Sequence, residues 1–230
     1  MSVFAGPNFV KSGTVLALDF ANTRSYPGSG TSVYDLSGGG NTATLVNSPT
    51  YSAGLMSFNG TNSYVDIPFN ASTFPTGTAA RTLMAFFRTT TAKGEHIFGM
   101  GGNVNNGERI SLRLTSGGAI TVECKGGAQY ALNAYTTNTW YHVAATVPAS
   151  ATVSQIALYI NGVAVTGLSL VGSNISVNTV NTSCVVGAMP GSTSSELFAG
   201  QISSPTLYNR VLSATEVMQN FQAHRGRYGI

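Results

Sequence analysis

The sequence predicts an all-β fold: two antiparallel sheets packed face to face as a jelly-roll sandwich, with one short helix near the C-terminal end. Three observations predict it. Short apolar runs punctuated by Gly, Asn and Ser recur from residue 14 to about residue 208, which is the rhythm of strands and turns. Only the stretch from Ser213 to about Arg225 carries a helical period. Fourteen candidate strands are too many for one flat sheet, and two stacked sheets bury them while limiting exposed edges.

In chain order the strands are expected at Thr14–Phe20, Ala43–Val46, Leu55–Phe58, Tyr64–Ile67, Arg81–Thr90, His96–Met100, Arg109–Leu114, Ile120–Lys125, Tyr130–Ala134, Trp140–Val147, Gln155–Ile160, Val163–Leu168, Cys184–Ala188 and Gly200–Tyr208. They form one domain over residues 13–230. Before it, residues 1–12 read as an arm or an extra edge strand, because Phe4, Pro7, Phe9 and Val10 form a run without period.

Two hairpins are specified residue by residue. Asn161-Gly162 accepts the positive φ angles of a type I′ turn, which sets Ile160 opposite Val163 and Leu158 opposite Val165. Between Arg109 and Cys124, a two-residue turn at Gly117-Gly118 would place Leu112 opposite Glu123. A three-residue loop, Ser116-Gly117-Gly118, instead pairs Leu112 with Val122 and Ile110 with Cys124, and a one-residue slip would invert every side chain. Arg109, Ser111, Arg113, Thr121, Glu123 and Lys125 then share a polar face. In the helix, Ser213-Ala214-Thr215-Glu216 is a capping box, Leu212 is placed to staple against Val217, and Val217 and Phe221 share an apolar face.

Only 8% of residues are charged against 43% hydrophobic, which excludes a disordered chain. The net charge of +3 comes without a Lys/Arg stripe, so nucleic acid is not implied; Arg225 and Arg227 read as a solvated tail. Ser, Thr, Asn and Gly supply a neutral polar coat. No run has the length of a membrane span, and Met1–Pro7 lacks a signal peptide's charged and apolar regions, so synthesis in a cytoplasm is expected. Cys124 and Cys184 lie in apolar runs and read as two buried thiols.

Tyr34–Leu45, Phe58–Asp66, Thr139–Ala144, Leu158–Gly162 and Tyr208–Glu216 follow in order the strings of laminin-G-like domains, and the chain resembles that branch of the concanavalin A-like lectin/glucanase superfamily. The opening Gly13–Asp19 and Ser25–Thr31, and the ending Phe221–Ile230, are similar to proteins encoded by large tailed bacteriophages. The resemblance implies a jelly roll of the kind found on virion surfaces. It also implies two tests of function, since superfamily glucanases carry a Glu-x-Asp-x-Glu string and laminin-G-like relatives hold calcium with Asp and Asn.

Neither test is met cleanly. The eight acids include no pair within two residues, so a glycosidase's acid and nucleophile or base would have to meet through space, for instance Glu123 with Glu95 or Glu108. His96, His142 and His224 have no nucleophile-elbow string beside them, and the resemblance makes His142 structural. For calcium, Asp35, Asn41, Asn59, Asn62 and Asp66 offer hard oxygens, but Ser203 stands after Gly200-Gln201-Ile202 where relatives carry an acid, and Asp35 suits a simple turn; no cofactor is expected. A glycan is the candidate ligand, with Arg109, Arg113, Glu123, Tyr130 and Tyr135 as its contacts, while Trp140 reads as core. The expectation is a non-enzymatic virion structural protein, a capsid decoration or tail/fibre component contacting other virion proteins and copies of itself on the virion surface. The alternative is a receptor-recognition lectin, and a polysaccharide depolymerase is the weakest reading.

Overall fold

The computed structural model describes residues 7–230, and it is the expected sandwich. Its strands are β1 (Thr14–Ala17), β2 (Ser32–Tyr34), β3 (Thr42–Val46), β4 (Thr50–Ser52), β5 (Leu55–Asn59), β6 (Tyr64–Ile67), β7 (Arg81–Thr89), β8 (Glu95–Gly101) and β9 (Arg109–Leu114). They continue with β10 (Ile120–Cys124), β11 (Gly127–Ala131), β12 (Tyr141–Val147), β13 (Ala157–Ile160), β14 (Val163–Ala164), β15 (Ser169–Gly172), β16 (Cys184–Val186) and β17 (Ala199–Tyr208), and helix α1 spans Ala214–His224. The first sheet runs β14-β13-β12-β7-β17-β5-β4, with β1 also on β17; the second runs β15-β11-β10-β9-β8-β16-β6-β3-β2.

Every expected strand has a counterpart, and the three that were not expected are β2, β4 and β15. All three lie at sheet edges. With three or four residues each, mostly Ser, Thr, Gly or Tyr, they are too short to show alternation and are extended because a neighbour pairs with them. Both reasoned hairpins hold. Ile160 faces Val163, with φ of 49° at Asn161 and 79° at Gly162. Leu112 faces Val122 and Ile110 faces Cys124, with Thr115 and Ala119 closing the three-residue loop. The expected Tyr130–Ala134 strand begins three residues earlier because Lys125-Gly126 makes a tight turn and Gly127 already pairs with Cys124.

The core is the interleaved inner faces: Leu16, Phe87, Val143, Leu158 and Ile202 from the first sheet against Ile110, Leu112, Val122, Val65 and Val186 from the second. Cys124 and Cys184 are buried within it as free thiols, and burial pushes Cys124 up to about 12. The outer face of the first sheet is also covered. The Ser213 side chain accepts from Glu216 N–H while Glu216 returns a bond to Ser213 N–H, and Leu212 and Val217 pack together beneath α1. Phe221 packs on Phe86, Trp140 and Tyr228, so Trp140 is core as expected.

Both chain ends pack back onto the molecule. Residues 8–11 of the expected arm lie on the molecule's own helix and form no strand: Val10 N–H donates to Asn220 Oδ1 at 2.8 Å, Tyr208 O–H donates to Val10 O at 2.9 Å, and Phe9 stacks on His224. Residues 1–6 of the arm lie outside the described residues. Arg225 and Arg227 are both exposed, as expected, but Arg227 is also tied down, its Nη1 donating to both oxygens of Asp19 at 3.0 and 2.8 Å, and Arg225 lies over the Phe221 ring.

Candidate functional site

With α1 and the chain ends over the first sheet, the polar outer face of the second sheet stays open to a ligand. Period-2 alternation turns Arg109, Ser111 and Arg113 outward from β9, and antiparallel register brings Thr121 and Glu123 of β10 and Ala128 and Tyr130 of β11 beside them. His96 joins this face through a bulge in β8: it pairs with Arg113, whereas Phe98 pairs with Leu112. Strict alternation would have put His96 and Phe98 on one side, but the extra residue, Ile97, reverses the parity.

The segment between β16 and β17 then crosses over the same face. It is pinned by Gly187 N–H to Ile97 O at 2.9 Å and by His96 N–H to Glu196 O at 3.0 Å, and it seals a small apolar cluster of Val185, Ala188 and Leu197. Met189, Ser195 and Glu196 from this crossing, with Tyr130 and Val171 opposite and Arg109, Arg113 and Glu123 as floor, bound an open groove of about 450 Å³. Glu196 sits at φ +50°, a backbone state costly for a side chain with a Cβ.

The floor is a chain of paired charges. Arg109 Nη2 contacts Glu123 Oε1 while its Nη1 donates to Asn103 Oδ1 at 2.5 Å. Arg113 forks onto Glu196, Nε to Oε2 at 2.7 Å and Nη2 to Oε1 at 2.6 Å, and its Nε is 3.2 Å from Glu123 Oε2. Burial lowers the His96 pKa against the opposing pull of Glu196, which favours the neutral ring. Because Glu196 can only accept, His96 Nε2 carries the proton and donates to Oε2 at 2.9 Å, leaving Nδ1 to accept from Ser111 Oγ at 3.0 Å. Hydrogen bonds from His96 and then Arg113 hold the Glu196 carboxyl well below the usual carboxylate range.

Of the residues expected at a site, Arg109, Arg113, Glu123 and Tyr130 meet in this groove. Tyr135 does not: it lies beyond the end of β11, is buried in the main core and donates its O–H to Thr115 O at 2.8 Å. Glu123 meets Glu196 through space and not Glu95 or Glu108. Glu95 is sealed inside against Thr89, Thr91 and Ala199 N–H, and Glu108 binds Asn105. Met189, Val171, Ala128, Ser195 and Glu196 are among the lining residues not anticipated, as is the buried His96 that holds Glu196 from beneath. Glu196 has no local sequence signal, being 83 positions from Arg113.

The metal candidates divide into separate places. Asp35 accepts from Ala17 and Ser37 N–H, Ser37 O–H and Asn41 Nδ2, which is the turn reading. Asn59 Oδ1 accepts from three successive N–H groups, of Thr61, Asn62 and Ser63, and its Nδ2 donates to Asn62 Oδ1; Asp66 stands on β6. His96, Glu123 and Glu196 bring ligand atoms within 4.8 Å of one another, but two guanidiniums share those carboxylates, and a cation there would have to displace them.

A family model, Laminin_G_3, described as the concanavalin A-like lectin/glucanases superfamily, matches residues 59–218. No curated protein sequence matches the chain. Among solved structures, a Trypanosoma rangeli sialidase in complex with 2,3-difluorosialic acid superposes with a TM-score of 0.64 at 17% identity, covering 95% of this chain and 34% of that one. The binding domain of Paraclostridial Mosquitocidal Protein 1 gives 0.62 at 17% identity, covering 93% and 53%. The botulinum neurotoxin serotype D binding domain gives 0.63 at 11%, covering 92% and 52%. The chain thus spans about a third of the sialidase and half of the toxin domains, and the likeness is one of fold.

Proposed function

The chain belongs to the concanavalin A-like lectin/glucanases superfamily, and from that premise we propose that it is a non-enzymatic recognition domain that holds a glycan in the groove floored by Arg109, Arg113 and Glu123 and walled by Tyr130. The observation that carries this is the exposed groove on the second sheet, where hydrogen-bonding charges lie beside apolar and aromatic surface, the mixture a sugar's hydroxyls and C–H faces require. The toxin domains of the same fold are themselves named binding domains.

The sialidase neighbours raise an enzymatic alternative, which the charge states of the groove do not favour. A glycosidase acid must hold a proton near neutral pH, whereas Glu196 is kept ionised by His96 and Arg113. Burial raises two carboxyls: Glu95 is sealed in the interior, and Asp66, on β6, does not line the groove. We place the domain on the surface of a tailed-phage particle, as a decoration or tail/fibre component beside other virion proteins and, given virion symmetry, copies of itself; the terminal strings Gly13–Asp19 and Phe221–Ile230 support that placement.

Purified protein is expected to bind on a glycan array, with Tyr130→Ala and Arg113→Ala each weakening binding at least about tenfold through lost stacking and hydrogen bonds. It is expected to release no reducing sugar; release abolished by Glu123→Gln would replace this reading with a depolymerase. Stoichiometric copies in purified particles are expected, and detection only in infected-cell lysate would overturn the placement.

A further inference from the structure

We propose that the groove selects neutral glycans and rejects carboxylated ones such as sialic acids and uronates. This rests on the glycan reading above and adds the ligand's charge class. The groove lining contains two cations and two anions, Arg109 and Arg113 against Glu123 and Glu196, and they are already matched. Arg113 presents its fork to Glu196. Arg109, 5% exposed, divides its terminal nitrogens between Glu123 and Asn103.

A carboxylate is recognised best by a guanidinium with a vacant fork, which repays the desolvation of both charges. An arriving carboxylate here meets an Arg113 fork filled by Glu196 and an Arg109 whose two terminal nitrogens are engaged and whose buried Nε alone lacks a partner among the described residues, beside two fixed carboxylates that repel it. A hydroxyl meets the opposite situation, because it donates to a spare carboxylate lone pair while accepting from a neighbouring N–H. Val171, Met189 and Ala128 beside Tyr130 offer apolar contact to the C–H face of an uncharged ring. Charge class is therefore set by Glu196, which arrives on the crossing segment and closes the Arg113 fork.

The test is titration calorimetry and array binding with neutral oligosaccharides and their sialylated and uronate counterparts, on the full chain and on Glu196→Gln. The native protein is expected to bind neutral members at least tenfold more tightly than their acidic counterparts. Glu196→Gln, which keeps the shape and releases Arg113, is expected to gain at least tenfold for the acidic set. Tighter binding of acidic than neutral glycans by the native protein would overturn the inference while leaving the glycan reading intact, and a folded Glu196→Gln with no acidic gain would overturn the role of Glu196. Should circular dichroism show that variant unfolded, the native preference alone decides. Binding of no glycan of either class by either protein would overturn the glycan reading and this inference with it.

Discussion

His142 shows most clearly how burial sets chemistry at a single position. It is fully buried on the outer face of the first sheet, 4.7 Å from the Phe86 ring and 5.7 Å from Phe221, and neither ring nitrogen has a partner among the described residues. Burial, reinforced by His224, pulls its pKa down to about 3, and burial with Arg227 pulls His224 to about 4. Both rings are neutral when folded, whereas in the unfolded chain a histidine titrates near about 6.5. The sign follows: this contribution to stability is complete above about pH 6.5 and is lost as pH falls toward the folded values of about 4 and 3. The urea midpoint is therefore expected to decline steadily below pH 6. Replacing His142 by Leu, an apolar side chain of similar volume, removes two unsatisfied buried nitrogens. It is expected to stabilise the protein at pH 7 by about 1–2 kcal/mol and to flatten the acid limb; a destabilised His142→Leu would contradict the account.

At the scale of elements, the groove depends on how closely the β16–β17 crossing lies against β8. Gly99 makes that approach possible: a Cβ there would sit 2.4 Å from Ser111 Cβ, 2.7 Å from Ile110 O and 2.8 Å from Pro190 Cγ. Two of those contacts are with the neighbouring strand and one is with the crossing segment, so a methyl group must push strand and segment apart. Gly99→Ala is expected to cost roughly 1–3 kcal/mol in urea unfolding and to weaken glycan binding although Gly99 does not line the groove. Unchanged binding would show that Glu196 is positioned by something else. Elements were legible in the sequence where a local device specifies them, as in the three-residue loop at Ser116–Gly118 and the cap at Ser213. They were not legible at β2, β4 and β15, whose residues extend only because a neighbouring edge pairs with them.

For the molecule as a whole, scarce charge has a consequence for its response to salt. With 8% charged residues, the fold rests on apolar burial between and outside the sheets, and the ion pairs of the groove floor are largely shielded from solvent. Exposed pairs contribute little and are screened. The melting temperature is expected to move by no more than about 3 °C between about 0.05 and 0.5 M NaCl; a larger shift measured by scanning calorimetry would mean that the charge network carries the fold. Among the described residues no helix is long and apolar enough to cross a membrane.

The amino-acid sequence by itself determined the sandwich, the registers of two hairpins, the capped helix and a polar face holding Arg109, Arg113 and Glu123, because alternation, turn chemistry and capping act over a few residues. Tertiary structure alone decided which charges face one another. The bulge at Ile97 reversed the parity that would have hidden His96, a tight turn moved β11 so that Tyr135 fell into the core, and the crossing segment delivered Glu196 to a histidine 100 positions away. Such contacts depend on how two sheets and a loop close around a shared core, and no local period in the chain records that closure.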